Sequence, residues 1–182
     1  FLAHAIGILT TIYASSYNVL LISTLLIGIG NGCTEAACNP MIADAYTGNE
    51  FSSKMNRFHM WFPGGIVLGS LISKFMTDAS LPWQAQIWVI LVPTVIYAIM
   101  FWGQSFPQPK AEASSPVANF KAMLNPLYLF MAACMALTAI SEFGPQQWVG
   151  PILAKAGASP MLSLALVTGL MAVGRYFAGP RV

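Results

Sequence analysis

Three polar side chains recur at four-residue spacing inside one long apolar stretch of the chain. They are Asn31, Glu35 and Asn39, and the stretch spans residues 19–43. On an α-helix, with about 3.6 residues per turn, this spacing places the three on one face. A charge at the centre of a bilayer costs roughly 2.5 to 3.5 kcal/mol, so carboxylates there are usually kept for function or for pairing. The pattern predicts a face that lines a polar cavity; the alternative is a carboxyl that only hydrogen-bonds to a neighbouring helix.

A second carboxylate, Glu142, lies in another apolar stretch and shares a helix face with Gln146. Gly144 and Pro145 lie between them, and proline removes a helical hydrogen bond, so we predict an interruption of the helix here. Such breaks are tolerated at membrane depth where the backbone lines a cavity, and transporters use discontinuous helices at their substrate sites. The alternative is a proline kink near the helix end, with Glu142 reaching water.

A third set of polar residues opens the apolar stretch at residues 58–72. Asn56, His59 and Pro63 share a helix face there. The imidazole of a histidine can titrate near neutral pH, so His59 is a candidate proton relay. A histidine that is hydrogen-bonded at the membrane interface fits the same pattern. We give His4, the other histidine, only a structural interpretation.

Small residues form two ridges along the same stretches. Small side chains at four-residue spacing let two helices approach closely in a membrane. The sequence therefore predicts tight helix packing at two places, the first along Gly28, Gly32 and Ala36 and the second along Gly65, Gly69 and Ser73.

The sequence carries no pattern typical of enzymes. It contains no His-Glu-x-x-His motif, no glycine-rich phosphate loop and no Ser/His/Asp signature. We expect no catalytic residue, no cofactor and no metal site. Eight basic and six acidic residues give a net charge of +2, and the basic residues are scattered rather than clustered, so we expect no nucleic-acid partner.

The elements that position these polar residues are predicted to be membrane helices. Hydrophobic residues make up 57% of the chain and charged residues only 8%, against roughly 25% charged residues in an average soluble protein. The mean hydropathy is +0.67. A helix needs about 20 mostly apolar residues to cross a bilayer. Six stretches meet or approach this length, which predicts an all-α membrane protein with about six transmembrane helices, at residues 1–14, 19–43, 58–72, 83–102, 127–153 and 161–178.

The polar segments between these stretches predict loops and an orientation. Residues 44–57 and 73–82 are expected to be polar connections, and residues 104–115, rich in proline and serine, are expected to be a linker. Cytoplasmic loops carry an excess of Lys and Arg. One side of the membrane would hold six basic residues and the other two, which assigns the first set to the cytoplasm: Lys54, Arg57, Lys110, Lys121, Arg175 and Arg181 against Lys74 and Lys155.

Three segments resemble the major facilitator superfamily, and within it the branch of sugar/proton symporters that includes the L-fucose/proton symporters. Residues 30–40 are similar to the fourth-helix motif of that branch, with glycines, a carboxylate, small residues and Asn-Pro. Residues from 56 onward resemble the entry into the fifth helix. Residues 174–179 resemble the end of the eighth helix. The resemblance implies helices three to eight of a twelve-helix fold, so we expect the chain to be part of a longer protein.

The resemblance also implies roles for individual residues. Glu35 matches the fourth-helix carboxylate that the family uses in sugar recognition and coupling, and Asn39 matches its neighbouring asparagine. Glu142, Gln146 and Trp148 fall where the seventh helix contributes to the cavity. Residues 59–63 depart from the polar run of the fucose symporters, so the sugar is not implied.

The expected protein is a secondary active transporter that moves a sugar or related small solute by alternating access, coupled to protons. Its expected partners are that solute, the proton and the lipid bilayer, and its expected place is the plasma membrane, or the inner membrane in a bacterium. Residues 1–103 would belong to the N-terminal helix bundle, 104–122 to a cytoplasmic interdomain loop and 123–182 to the C-terminal bundle. The alternatives are an exporter or uncoupled facilitator of another solute, and a membrane scaffold or receptor without transport.

Overall fold

The computed structural model describes residues 1–106, 110 and 115–178, and this part of the chain is helical with no β-strand. The expected all-α fold is confirmed. Four of the helices, α2, α4, α6 and α7, are long and apolar enough to cross a membrane. In the described residues the helices are α1 (Leu2–Ile12), α2 (Tyr17–Ala45), α3 (Gly48–Asp78), α4 (Trp83–Phe101), α5 (Pro116–Met123), α6 (Pro126–Lys155) and α7 (Pro160–Ala178).

The four long apolar helices begin and end within two residues of their predicted bounds. Helix α3 departs further from its prediction. It extends far beyond the apolar stretch at 58–72 and includes most of the segments 44–57 and 73–82, which were wrongly predicted as loops. Ion pairs four residues apart stabilise both extensions: Lys54 with Glu50 at 4.0 Å, and Lys74 with Asp78 at 2.6 Å. Apolar runs show where a helix crosses the bilayer, and polar helical turns continue outside it.

The predicted interruption at Gly144-Pro145 is also wrong. Helix α6 is continuous from Pro126 to Lys155 and contains both Pro145 and Pro151. Proline fixes φ near −65°, a helical value, so a helix can continue through it with one hydrogen bond fewer. Helix α4 continues through Pro93 in the same way.

The segment predicted as an interdomain loop, 104–122, contains most of a short helix. Helix α5 begins with Pro116 after Ser115, whose Oγ accepts a hydrogen bond from the Ala118 amide at 3.2 Å, a favourable N-cap arrangement. The backbone N–H of Lys110 donates to Asp44 Oδ2 at 3.1 Å, which ties the linker to the end of α2. Residues 107–109 and 111–114 of the predicted loop lie outside the described residues.

Burial in this structure favours hydroxyl groups over large apolar side chains. The buried polar residues are Thr11, Ser23, Ser70, Thr94 and Thr168, whereas most large apolar side chains are exposed. Such an apolar surface is unusual for a soluble monomer and is expected for helices that contact lipid. Small hydroxyl residues at helix contacts are likewise typical of membrane helices.

The hydroxyls of the three buried threonines find partners inside their own helices. Thr11, Thr94 and Thr168 each donate to the carbonyl four residues earlier at 2.7 to 2.9 Å. These three hydroxyls therefore do not leave a hydrogen unpaired.

Helix α3 makes its most extensive contact with α7, and α1 packs mainly on α2 and to a lesser extent on α4. The tight contacts are not at the predicted small-residue ridges. A Cβ added at Gly28 or Gly32 would meet no atom within 4 Å, and the same holds for Gly65 and Gly69. Gly65 and Gly69 instead line an open groove of about 580 Å³ between α3 and α4.

The close approach occurs where α1 meets α2. A Cβ added at Gly7 would lie 2.8 Å from Ile27 Cγ1, and one added at Gly30 would overlap the imidazole of His4. Thr11 and Ser23 join the same two helices by a buried hydrogen bond of 2.9 Å. Small residues therefore let α1 and α2 approach closely.

Candidate functional site

The three polar residues of α2 have three different surroundings. The amide oxygen of Asn31 hydrogen-bonds to His4 on α1 at 2.9 Å. Glu35 is exposed, and it has no ion pair or hydrogen bond among the residues that the structure describes. Asn39 Oδ1 is buried and has no hydrogen-bond partner there. The shared face is thus occupied at one end by a neighbouring helix and is open at Glu35.

His4, Asn31 and Tyr97 form a polar cluster that joins α1, α2 and α4. His4 Nδ1 lies 2.7 Å from the Tyr97 hydroxyl, and His4 Nε2 lies 2.9 Å from Asn31 Oδ1. The cluster borders a cavity of about 280 Å³ whose other walls are mainly isoleucine. Sequence reasoning missed His4 and Tyr97 as members of a site. The available signal was a histidine, one of two in the chain, inside an apolar run.

A second polar contact joins α3 to α7, and it begins with Pro63. In an α-helix the amide of residue 63 would donate to the carbonyl of residue 59, but proline has no N–H. The His59 carbonyl accepts instead from Arg175 Nη1 on α7, at 3.2 Å. Nearby, the Arg57 guanidinium lies 5.6 Å from the ring centroid of Tyr176, within the range of a cation–π contact.

The side chains of Asn56 and His59 interact mainly with their own helix. Asn56 Nδ2 donates to the Ser52 carbonyl at 3.0 Å. The His59 ring makes an edge contact with Phe58, with 5.3 Å between centroids, and has no polar partner in the described part of the chain. The contact of His59 with another helix is therefore made by its backbone carbonyl. A role of its ring as a proton relay stays a prediction.

The candidate residues on α6 are partly buried or exposed rather than gathered around one point. Glu142 Oε1 is buried without a hydrogen-bond partner in the described residues, and the neighbouring Phe143 contacts Phe62 of α3 edge-on at 6.0 Å. Gln146 lines a groove of about 250 Å³ between α6 and α7. Trp148 is 73% exposed. Among the described residues, no hydrogen bond or ion pair joins this group to Glu35.

The family of the chain follows from comparison with known proteins. A family model described as Major Facilitator Superfamily matches residues 1–182. The chain belongs to the Major Facilitator Superfamily. Searches of the curated proteins and of the solved structures found no match. Proteins of this family are membrane transporters of small solutes rather than enzymes, so the coarse part of the expected function is supported.

This Major Facilitator Superfamily chain is an integral membrane protein. Its candidate residues supply two carboxylates, several amides and an exposed indole ring, which are types of group capable of hydrogen bonding and stacking. Two of them, Asn39 and Glu142, each have a buried oxygen without a partner in the described residues. Such an atom costs about 1 to 3 kcal/mol relative to a satisfied one, so these two oxygens are candidate hydrogen-bond acceptors.

Proposed function

We propose that this protein moves a sugar, or a closely related solute with several hydroxyl groups, across the plasma membrane together with protons. The supporting observation is the pair of buried, unpartnered oxygens on Asn39 and Glu142. Both accept hydrogen bonds, and a sugar offers hydroxyl donors at several positions. Buried polar groups that lack a partner in a native protein call for an explanation, and a bound solute provides one here.

The solute would lie between two groups of helices that alternate in access. Residues 1–103 and 123–182 would form these groups, and residues 104–122 would connect them. Asn31, Asn39, Glu142 and Gln146 would supply hydrogen bonds to the solute. An exposed indole offers a flat apolar surface with one polar N–H, so Trp148 would cover the apolar face of a sugar ring. Asn56 and His59 would act nearer the cytoplasmic end.

Glu35 would carry the proton. It is exposed on the open part of the α2 face and has no basic partner within the described part of the chain, and an unpaired charge at membrane depth is costly. A proton on Glu35 would let the loaded site close without an unpaired charge. Each elementary charge that follows the membrane potential contributes about 2.3 kcal/mol per 100 mV, which is sufficient to drive accumulation of the solute.

Counterflow in liposomes tests the proposal. The full-length protein would be reconstituted with an unlabelled sugar inside, and entry of the same tritiated sugar would be measured for D-glucose, D-galactose, L-fucose and D-xylose in turn. We expect saturable counterflow of at least one sugar, and an imposed inward proton gradient should drive its uptake uphill. Protein-free liposomes are the control. No counterflow of any of the four would contradict the sugar assignment, and counterflow without proton-driven accumulation would contradict coupling.

A further inference from the structure

The cluster of His4, Asn31 and Tyr97 has a hydrogen-bond arrangement that only one protonation pattern of a neutral histidine satisfies. A neutral imidazole donates from one nitrogen and accepts at the other. The contacting atom of Asn31 is its amide oxygen, which can only accept, so Nε2 must carry the hydrogen. Nδ1 then accepts from the hydroxyl of Tyr97. The Asn31 oxygen therefore requires the hydrogen on Nε2, and the Tyr97 hydroxyl, which can donate or accept, completes the arrangement by donating to Nδ1.

The orientation of the Asn31 amide follows from this contact. Because Oδ1 is held by His4, the two hydrogens of Nδ2 are directed away from the imidazole. Asn31 is exposed, and its Nδ2 has no hydrogen-bond partner in the described residues. Glu35 is one helical turn further along the same face of α2. The amide thus presents two free donors beside the open part of that face.

The packing around His4 leaves the ring little freedom. A Cβ at residue 30 would lie 2.6 Å from His4 Nε2, so only glycine leaves space for the imidazole against α2. The Tyr97 ring adds an edge contact with 5.9 Å between centroids. Apart from Tyr97, no titratable or charged side chain from α2 or α4 forms a hydrogen bond or ion pair with His4 within the described chain.

We propose that His4 is a positioning residue for solute binding: it fixes the Asn31 amide so that the Nδ2 donors face an oxygen acceptor of the solute. The inference rests on the proposed function, since it needs a solute with hydroxyl or carbonyl oxygens. His4 acts through Asn31 and does not itself contact the solute. Loss of its hydrogen bond should weaken solute binding without slowing the conformational cycle of the bound protein.

The test combines transport kinetics with the protonation state of His4. In the full-length protein, His4→Phe keeps an aromatic ring in the space beside Gly30 of α2 but removes both hydrogen bonds. We expect KM for a sugar that wild type transports in counterflow to rise roughly threefold to tenfold, as loss of one hydrogen bond would give, with the maximal rate within twofold. His4→Gln, which keeps a donor near Asn31, should bring KM back to within twofold of wild type.

A matched control separates positioning from loosened packing. Thr11→Val removes a buried hydrogen bond between the same two helices, to Ser23, and should leave KM unchanged. If His4→Phe fails to reconstitute, Tyr97→Phe removes a single hydroxyl and should also raise KM. In histidine-selective 15N NMR of wild type, the signal that Tyr97→Phe shifts should show a neutral imidazole with hydrogen on Nε2.

The outcomes distinguish this inference from the proposed function. Counterflow in wild type with an unchanged KM in the His4 and Tyr97 variants would overturn the inference and leave the function standing. A charged imidazole at position 4, or hydrogen on Nδ1 alone, would overturn it as well. Absence of counterflow for D-glucose, D-galactose, L-fucose and D-xylose in wild type would overturn the proposed function and this inference together.

Discussion

The hydrogen bond from Arg175 to the His59 carbonyl should depend on the proline four residues beyond that carbonyl. Pro63 has no N–H, so the carbonyl lacks its helical donor and the Arg175 guanidinium replaces it at 3.2 Å. Replacing Pro63 by Ala supplies the missing N–H. The Arg175 contact should therefore stabilise the protein strongly when residue 63 is Pro and weakly when it is Ala.

The size of the effect follows from the two groups involved. Hydrogen bonds to charged groups contribute about 1.5 to 3 kcal/mol in soluble proteins, whereas interhelical side-chain bonds measured in a membrane protein average about 0.6 and reach about 1.7 kcal/mol. The donor is charged and the acceptor has no helical partner, so we expect about 1 to 2 kcal/mol for Arg175→Met. For a chain of 182 residues, this lowers Tm by roughly 2 to 8 °C.

A double-mutant cycle in mixed detergent and SDS micelles measures this dependence, with tryptophan fluorescence reporting unfolding. In the Pro63→Ala background, Arg175→Met should lower the free energy of unfolding by less than about 0.5 kcal/mol. The control is Arg57→Met, which removes a contact with the Tyr176 ring at the same helix pair and should cost the same in both backgrounds. An equal cost of Arg175→Met with and without Pro63 would refute the reasoning.

Three further predictions concern packing and the candidate site. Gly30→Ala should lower Tm because its Cβ overlaps the α1 imidazole, whereas Gly32→Ala, where a Cβ meets nothing within 4 Å, should leave Tm unchanged or raise it; equal shifts would contradict the packing. Thr11→Val should cost about 1 kcal/mol of unfolding free energy, and Thr24→Val, which is exposed and bonds to the Leu21 carbonyl of its own helix, should cost less. Glu142→Leu removes a buried oxygen without a described partner, so thermal melting should show a higher Tm while liposome counterflow is lost; retained counterflow would exclude a solute contact.

Most of the membrane fold could be predicted from the sequence because lipid imposes a simple rule. A helix in the bilayer must be apolar over a fixed length, so α2, α4, α6 and α7 are visible as apolar runs. The ends of α3 are not visible in this way, because its polar turns lie outside the apolar run and ion pairs such as Lys54 with Glu50 extend it. The predicted interruption of α6 at Pro145 was wrong because one lost hydrogen bond does not end a helix of 30 residues.

The site was predicted less completely because its contacts join distant parts of the chain. The spacing of Asn31 and Glu35 shows that they share a face, but it does not show which helix covers that face. The structure places His4 beside Asn31, and Arg175 beside the carbonyl of a residue 116 positions earlier. Both contacts depend on how α1, α3 and α7 pack, and helix-face periodicity carries no information on packing between helices.

The most direct test of proton-coupled sugar transport is the effect of Glu35→Gln on the full-length protein in liposomes. Glutamine resembles the protonated carboxyl in shape but cannot release a proton. For a sugar that wild type accumulates under an inward proton gradient, counterflow in the Glu35→Gln variant should persist, and uphill uptake should disappear. Uphill uptake at the wild-type rate and pH dependence would contradict the account, because the proton would then travel without Glu35.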